Sequence, residues 1–216
     1  MNTIQQSLAA LAIGLSVASS GSLAADDNAF LGPSIGIGIS NVRAQTDFGG
    51  VQNGSIAKSN TGILLEANYG FPVFDNFIGT VGANVDVKSD KLGETNIGNN
   101  GTSGTLTGKL AQHWSLYLAP GYVVAPQWLL YAKLGYDQTN LQTNNSLMTD
   151  NVSDSAHGWS YGLGADYAFM PNFEARLEYV EARFSKQQSY GSRLGGAWTT
   201  SNPRTSTTSL IFAYRF

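Results

Sequence analysis

The 216-residue chain holds only 12% Asp, Glu, Lys and Arg, about half of the roughly 25% usual in soluble domains. It has no cysteine, which excludes thiolate chemistry and a disulfide framework. Its net charge of −3 gives no electrostatic case for a nucleic-acid partner.

The first element in chain order is the apolar run Leu8 to Ala18, followed by the small-residue stretch Ala18 to Ala25. The run is too short for a spanning helix and its flanks suit signal peptidase. Residues 1–24 are therefore expected to be a secretory signal peptide and 25–216 a single mature domain. One departure is that the leading MNTIQQ has no Lys or Arg. No later stretch approaches the roughly 18 continuous apolar residues of a membrane helix. Low charge without helical spans leaves a membrane-spanning barrel or an unusually uncharged extracellular β-protein.

Period-two alternation dominates the mature sequence. In the second candidate strand Ile63, Leu65, Ala67, Tyr69 and Phe71 oppose Gly62, Leu64, Glu66, Asn68 and Gly70. The third sets Phe77, Val81, Ala83 and Val85 against Thr80, Gly82, Asn84 and Asp86. The sixth opposes Trp159, Tyr161, Leu163, Ala165, Tyr167 and Phe169 to Ser160, Gly162, Gly164 and Asp166. In the seventh, Phe173, Ala175, Leu177 and Tyr179 face away from Glu174, Arg176 and Glu178. The last separates Leu210, Phe212, Tyr214 and Phe216 from Ser209, Ile211, Ala213 and Arg215.

The position of the charges decides between architectures. They share a face with the small residues, whereas the opposite faces are apolar or aromatic, with charge only at ends such as Arg43 and Glu181. A soluble sandwich hides its apolar face and shows its charges. A membrane barrel does the reverse, with apolar side chains toward lipid. Flipping the register would put several charges in lipid, at up to ~2–4 kcal/mol for each basic one.

Short proline-containing turns near 72–75, 125–127 and 170–172 alternate with polar stretches at about 45–60, 89–104, 138–156 and 186–205. Short turns on the periplasmic side and long loops outside are the outer-membrane pattern. The expected fold is all-β: an eight-stranded antiparallel transmembrane β-barrel with both termini in the periplasm. Ten strands remain open if 89–104 forms a hairpin at its Asn99-Asn100-Gly101 turn signal. Aromatics beside the short turns, from Tyr69 and Phe71 to Tyr214 and Phe216, would form the periplasmic girdle, and Tyr136 and Trp159 part of the outer one.

The terminal segment Ser209 to Phe216, with Leu210, Phe212, Tyr214 and Phe216 on alternate positions, resembles the assembly signal of outer-membrane barrels. Residues 161–179 (YGLGADYAFMPNFEARLEY) look like the penultimate hairpin of the OmpA/OmpX-type small barrels, and particularly of the porin-like, opacity-type surface antigens. This resemblance implies assembly through periplasmic chaperones and the barrel-insertion machinery, and a surface-exposed structural role in the Gram-negative envelope. The appended peptidoglycan-binding domain of some relatives is not found before Phe216, so no cell-wall tethering is carried over.

Parity places Glu66, Asp86, Asp137, Asp166, Glu174 and Glu178 in the lumen, with Lys88, Lys109, Lys133, Arg176 and Arg215 opposing them. An eight-stranded barrel is only just wide enough for side chains, and buried charges need partners. An ion-paired plug is therefore expected, with a solute pathway as the alternative. Gly36-Ile37-Gly38 and Gly162-Leu163-Gly164 lack the phosphate-binding spacing and read as small inward residues. Of the two histidines, His113 shares lumen parity with Ser115 and Tyr117. His157 lies near Asp154, Ser155 and Ser160, but no nucleophile motif accompanies it, and with Asp150 the group lacks metal-loop spacing. No catalytic residue, metal or cofactor is expected.

The stretch 186–205 carries Lys186, Arg193 and Arg204 with Tyr190 and Trp198, and no acid. Such a segment would contact lipopolysaccharide phosphates or an acidic host surface. The function expected is a monomeric surface antigen or adhesin-like protein held in outer-membrane lipid. A narrow porin and a lipid A-modifying enzyme are the alternatives.

Overall fold

The computed structural model describes residues 28–49, 54–87, 90–99, 102–145, 152–185, 187–191 and 197–216. Residues 1–24, expected to be the export signal, and Lys88, Lys186 and Arg193 lie outside them. The described residues form ten strands: β1 (Gly32–Gly49), β2 (Gly54–Phe74), β3 (Phe77–Asp86), β4 (Asp90–Asn99), β5 (Thr102–Ala125), β6 (Trp128–Asn145), β7 (Val152–Met170), β8 (Phe173–Phe184), β9 (Gln187–Gly191) and β10 (Ala197–Arg215). All their pairings are antiparallel, in the order β1-β2-β3-β5-β6-β7-β8-β10, and β1 pairs with β10 to close the sheet.

The wall has eight positions, not ten. β5 pairs with β3 along 114–122 and with β4 along 102–110, so β4 continues the line of β3 outward. Likewise β10 pairs with β8 along 204–214 and with β9 along 197–201. The hairpin expected at Asn99-Asn100-Gly101 thus exists, but it lengthens an existing wall position rather than adding two.

The long polar stretches are largely strand as well: β1 runs to Gly49, β2 starts at Gly54, β6 runs to Asn145 and β7 starts at Val152. This corrects the expected loops of 45–60 and 138–156. Beyond the bilayer both faces of a strand meet water, so hydrophobic alternation disappears while the backbone ladder still satisfies its donors and acceptors. Strands of 18 to 24 residues such as β1 and β5 far exceed the roughly 9–11 that cross a membrane.

The two faces follow parity. Ile37, Ile39, Leu116, Leu118, Leu134, Leu163, Leu177 and Phe212 are exposed on the outer wall, whereas Glu66, Lys133, Asp166, Glu174, Arg176 and Arg215 are buried in the lumen. The girdle aromatics contact one another beside the short turns: Phe74–Phe77 at 4.5 Å, Phe77–Tyr122 at 5.0 Å, Phe173–Tyr214 at 5.2 Å and Tyr214–Phe216 at 5.0 Å between centroids. Tyr136 packs edge-on against Trp159 at 5.5 Å at the other end. From Trp128 to Tyr136 is about 27 Å along the strand, or about 21 Å in height at a tilt near 40°, close to the ~25 Å apolar band of such barrels.

A bulge interrupts the alternation of β5. Ala111 pairs with Asn140 and Trp114 with Gln138, leaving Gln112 and His113 opposite one residue. Gln112 takes the left-handed φ of 56°, a conformation a bulge imposes at a local cost. Alternation counted from below therefore does not extend to Lys109, which stands in register with Gln142.

Candidate functional site

The lumen is filled in three layers. Nearest the short turns is an apolar layer of Phe30, Ile78, Tyr117, Ala119, Leu129, Tyr131 and Ala168. Phe30, in the segment leading into β1, is fully buried. It is held by a turn in which its backbone N–H donates to Asn28 Oδ1 at 3.1 Å. Sequence reasoning misses this plug. Its only signal is an isolated aromatic before the first strand.

Above it lies the ionic layer, centred on Arg176. Its guanidinium donates to Glu66 Oε1, to Asp166 Oδ2 at 2.7 Å and to Glu174 Oε1 at 2.9 Å. Arg215 grips the same Glu174 carboxylate at 2.9–3.2 Å and donates to the Gly32 carbonyl at 2.7 Å, joining β10 to the start of β1. Lys133 Nζ donates to both Glu178 oxygens at 2.8 and 3.0 Å and stands 3.5 Å from Glu66. Tyr131 donates to Glu178 at 2.7 Å, and the Lys133 ammonium lies 3.9 Å from the centre of the Tyr117 ring. Buried ions that lose water need this many partners.

Glycine makes room for the two tyrosines. A Cβ on Gly164 would run into the Tyr131 ring, and one on Gly82 into Tyr117. On Gly36 or Gly38 it would meet Ile211. The Gly-x-Gly pairs are therefore spacers, as their parity implies.

The third layer is His113, whose Nδ1 lies 2.6 Å from Asp86 and whose Nε2 lies 3.0 Å from Asp137. Its edge faces Phe184, 6.2 Å away. The lumen set is thus brought together, with Lys88 and the side chain of Lys109 outside the described residues. Among the described lumen residues six carboxylates (Glu66, Asp86, Asp137, Asp166, Glu174, Glu178) meet the three cations Lys133, Arg176 and Arg215 and the imidazole of His113. One cavity between the layers, bordered by Tyr117, Tyr131, Asp166 and Arg176, has about 10 Å³, room for about one water.

His157 is separated from any lumen serine. It is exposed on the outer wall, stacked against Tyr136 at 6.4 Å, whereas Ser160 is buried on the opposite face of β7. No cluster of three or more metal-ligating side chains occurs among the described residues.

The expected basic loop is also differently built. Arg204 sits on β10, not in a loop, and pairs with Asp47 of β1 at 3.2 Å. The acid missing from 186–205 thus comes from a neighbouring strand. Tyr190 and Trp198 stand opposite each other in the β9–β10 ladder. Two outward arginines flank Arg204: Arg183, which sequence reasoning does not single out, directly opposite on β8, and Arg43, read from the sequence as a charge at a strand end, two residues further down β1 from Gln45, the partner of Arg204.

Residues 8–216 match the outer membrane protein beta-barrel domain. The chain belongs to that family. It therefore sits in the lipid of the bacterial outer membrane, and the apolar outer wall is its lipid-facing surface. Among solved structures it is similar to Ail, the attachment invasion locus protein of Yersinia pestis, solved with the heparin analogue sucrose octasulfate. That match has 18% identity and a TM-score of 0.50, and covers 85% of this chain and 97% of Ail. It is also similar to OprG from Pseudomonas aeruginosa, with 16% identity, a TM-score of 0.46 and coverage of 88% and 98%. The outer membrane protease OmpT from Escherichia coli matches with 7% identity, a TM-score of 0.48 and coverage of 85% and 96%. No curated protein sequence matches. At these identities the structural likeness speaks for the barrel fold alone.

Proposed function

We propose that this family member is a non-conducting, non-enzymatic surface protein of the envelope, adhesin-like in that its outer hairpin ends meet the cell's surroundings. Residues 1–24 serve as its export signal. The closed lumen carries this reading. The buried Arg176 network and the apolar floor around Phe30 fill the lumen with side chains, and a solute pathway would have to break several buried ion pairs at once. The monomeric reading is supported by closure of the barrel wall through β1 and β10, which pairs its two end strands with each other. The non-enzymatic reading is supported by Ser160 lying on the face of β7 opposite His157 and by Ser155, on the same face as His157, donating to Asn140 Oδ1 at 3.1 Å.

Two measurements test it. Purified protein in planar bilayers is expected to give no steady single-channel current, and a non-adherent strain displaying it is expected to gain attachment to host cells or matrix. A large stable conductance would replace this reading with a porin. Conductance-free protein without any gain in attachment would leave a purely structural barrel.

A further inference from the structure

We propose that the outer wall across β1, β10 and β8 is a binding site for the phosphates of lipopolysaccharide in the surrounding leaflet, with Arg43, Arg183 and Arg204 as its cations.

The site is read from ladder register. On the outward face, successive rungs over β1, β10, β8 and β7 run Gln45–Arg204–Arg183–Trp159, then Arg43–Ser206–Glu181–Tyr161, then Asn41–Thr208–Tyr179–Leu163, then Ile39–Leu210–Leu177–Ala165. Within four rungs the surface passes from guanidinium to aliphatic. The upper rungs line a groove of about 490 Å³.

Its charges are unusually placed. Arg183 and Arg204 are direct cross-strand partners, and like charges directly opposite each other destabilise a sheet unless something lies between them. Among the described residues, two acids stand beside the three arginines. Asp47 pairs with Arg204 at 3.2 Å, both about half exposed. Glu181 is occupied by the hydroxyls of Tyr161 at 2.7 Å and Tyr179 at 3.0 Å. Arg183 donates to the Tyr161 hydroxyl at 3.2 Å and makes no ion pair with a described residue, and neither does Arg43. Three cations against two acids leave a positive surplus, with two guanidiniums still able to bind a planar or tetrahedral oxyanion through paired N–H groups.

The aliphatic rungs beneath the arginines identify the occupant. Ile39, Leu210 and Leu177 form the exposed rung directly below the groove, in the lipid-facing band, and Tyr179 lines the groove one rung above Leu177. A phosphorylated glycolipid satisfies both halves, its phosphates on the arginines and its acyl chains on the aliphatic rungs. A sulfated glycan or free phosphate uses only the upper half.

The test compares purified wild type with Arg43→Gln/Arg183→Gln/Arg204→Gln and with single Arg183→Gln, using Lys58→Gln on β2 as control. Probes are lipopolysaccharide bearing both lipid A phosphates, the same lipid dephosphorylated, heparin and inorganic phosphate. Wild type and the Lys58 control should bind the phosphorylated lipid about tenfold or more tightly than the dephosphorylated one. The triple variant should lose that preference and the single variant part of it. All substituted side chains are exposed, so an unchanged compact gel mobility before boiling shows that the barrel is intact. If the triple variant fails to form a compact barrel, Arg183→Gln makes the comparison alone. Equal binding of the two lipids, retention of the preference by the variants, or heparin bound while lipopolysaccharide is ignored each overturns the proposal. Inorganic phosphate displacing the lipid at matching concentration overturns the assignment to a glycolipid.

Discussion

Arg176 and Arg204 are the same side chain meeting the same carboxylate chemistry on two sides of one wall. Arg176 is 4% exposed among Glu66, Asp166 and Glu174, while Arg204 is 51% exposed beside Asp47. Inside, the ions have given up water and hold one another in a fixed arrangement, so removing one strands the rest. Outside, the pair is screened and exchangeable with solvent ions or a ligand. Counting ion pairs therefore says little about this protein until each is assigned to a solvent. The wall makes that assignment, one residue at a time.

Deleting the inner arginine puts this contrast to its severest trial. Arg176→Leu should destabilise the barrel by about 3–5 kcal/mol, because three buried carboxylates lose their shared partner. Urea unfolding in detergent, followed by tryptophan fluorescence, measures it. A loss below about 1 kcal/mol would mean that the lumen is wetter than its packing implies.

Next comes a charge moved to the wrong side. Leu163 is an exposed outward residue opposite Ala132, which lies midway between Trp128 and Tyr136. Leu163→Arg should cost about 2–4 kcal/mol in a bilayer, with a much smaller loss in detergent, where the arginine can reach water. Its neighbour Gly164 faces inward, where an added side chain collides with Tyr131. Gly164→Val should therefore cost about 1–3 kcal/mol in either medium. Adjacent residues would then differ in whether the lipid matters. Similar behaviour of the two would undo the assignment of faces. The smallest effect belongs to the outer pair: Arg204→Leu should change stability by less than about 1 kcal/mol, as read in the same unfolding assay.

Much of this is legible without coordinates because a strand's period is two, so one charged residue in phase with glycines marks a whole face. Glu174, Arg176 and Glu178 identify the lumen in this way, and Arg176 joins strands that are distant in sequence. Three features stay hidden for physical reasons. β4 (DKLGETNIGN) and β9 (QQSYG) carry no hydrophobic alternation in their sequence, and a strand without it reads as a loop. The bulge at Gln112 and His113 breaks parity without any compositional mark. Phe30 acts through a turn before the first strand, where no periodicity exists to read. The inward position of Tyr131 has a cue, its phase with Lys133, but only the facing Gly164 explains how a ring fits there. Arg43 and Arg183 are visible as charges out of phase with the lumen set. Their meaning depends on cross-strand register, which a linear sequence does not contain.

The seam between β1 and β10 joins the two extremities of the barrel wall. It is made by the β1–β10 rungs, the Arg215 contact with the Gly32 carbonyl and the bond from Phe216 N–H to the Pro33 carbonyl. A linear chain becomes a cylinder only when that last zipper closes. A copy lacking β10 would keep most of its ladder yet present two raw borders, on β1 and on β8. Such borders invite pairing with whatever strand passes. Loss of a terminal fragment is thus out of proportion to its length: it turns an edgeless object into a sticky one.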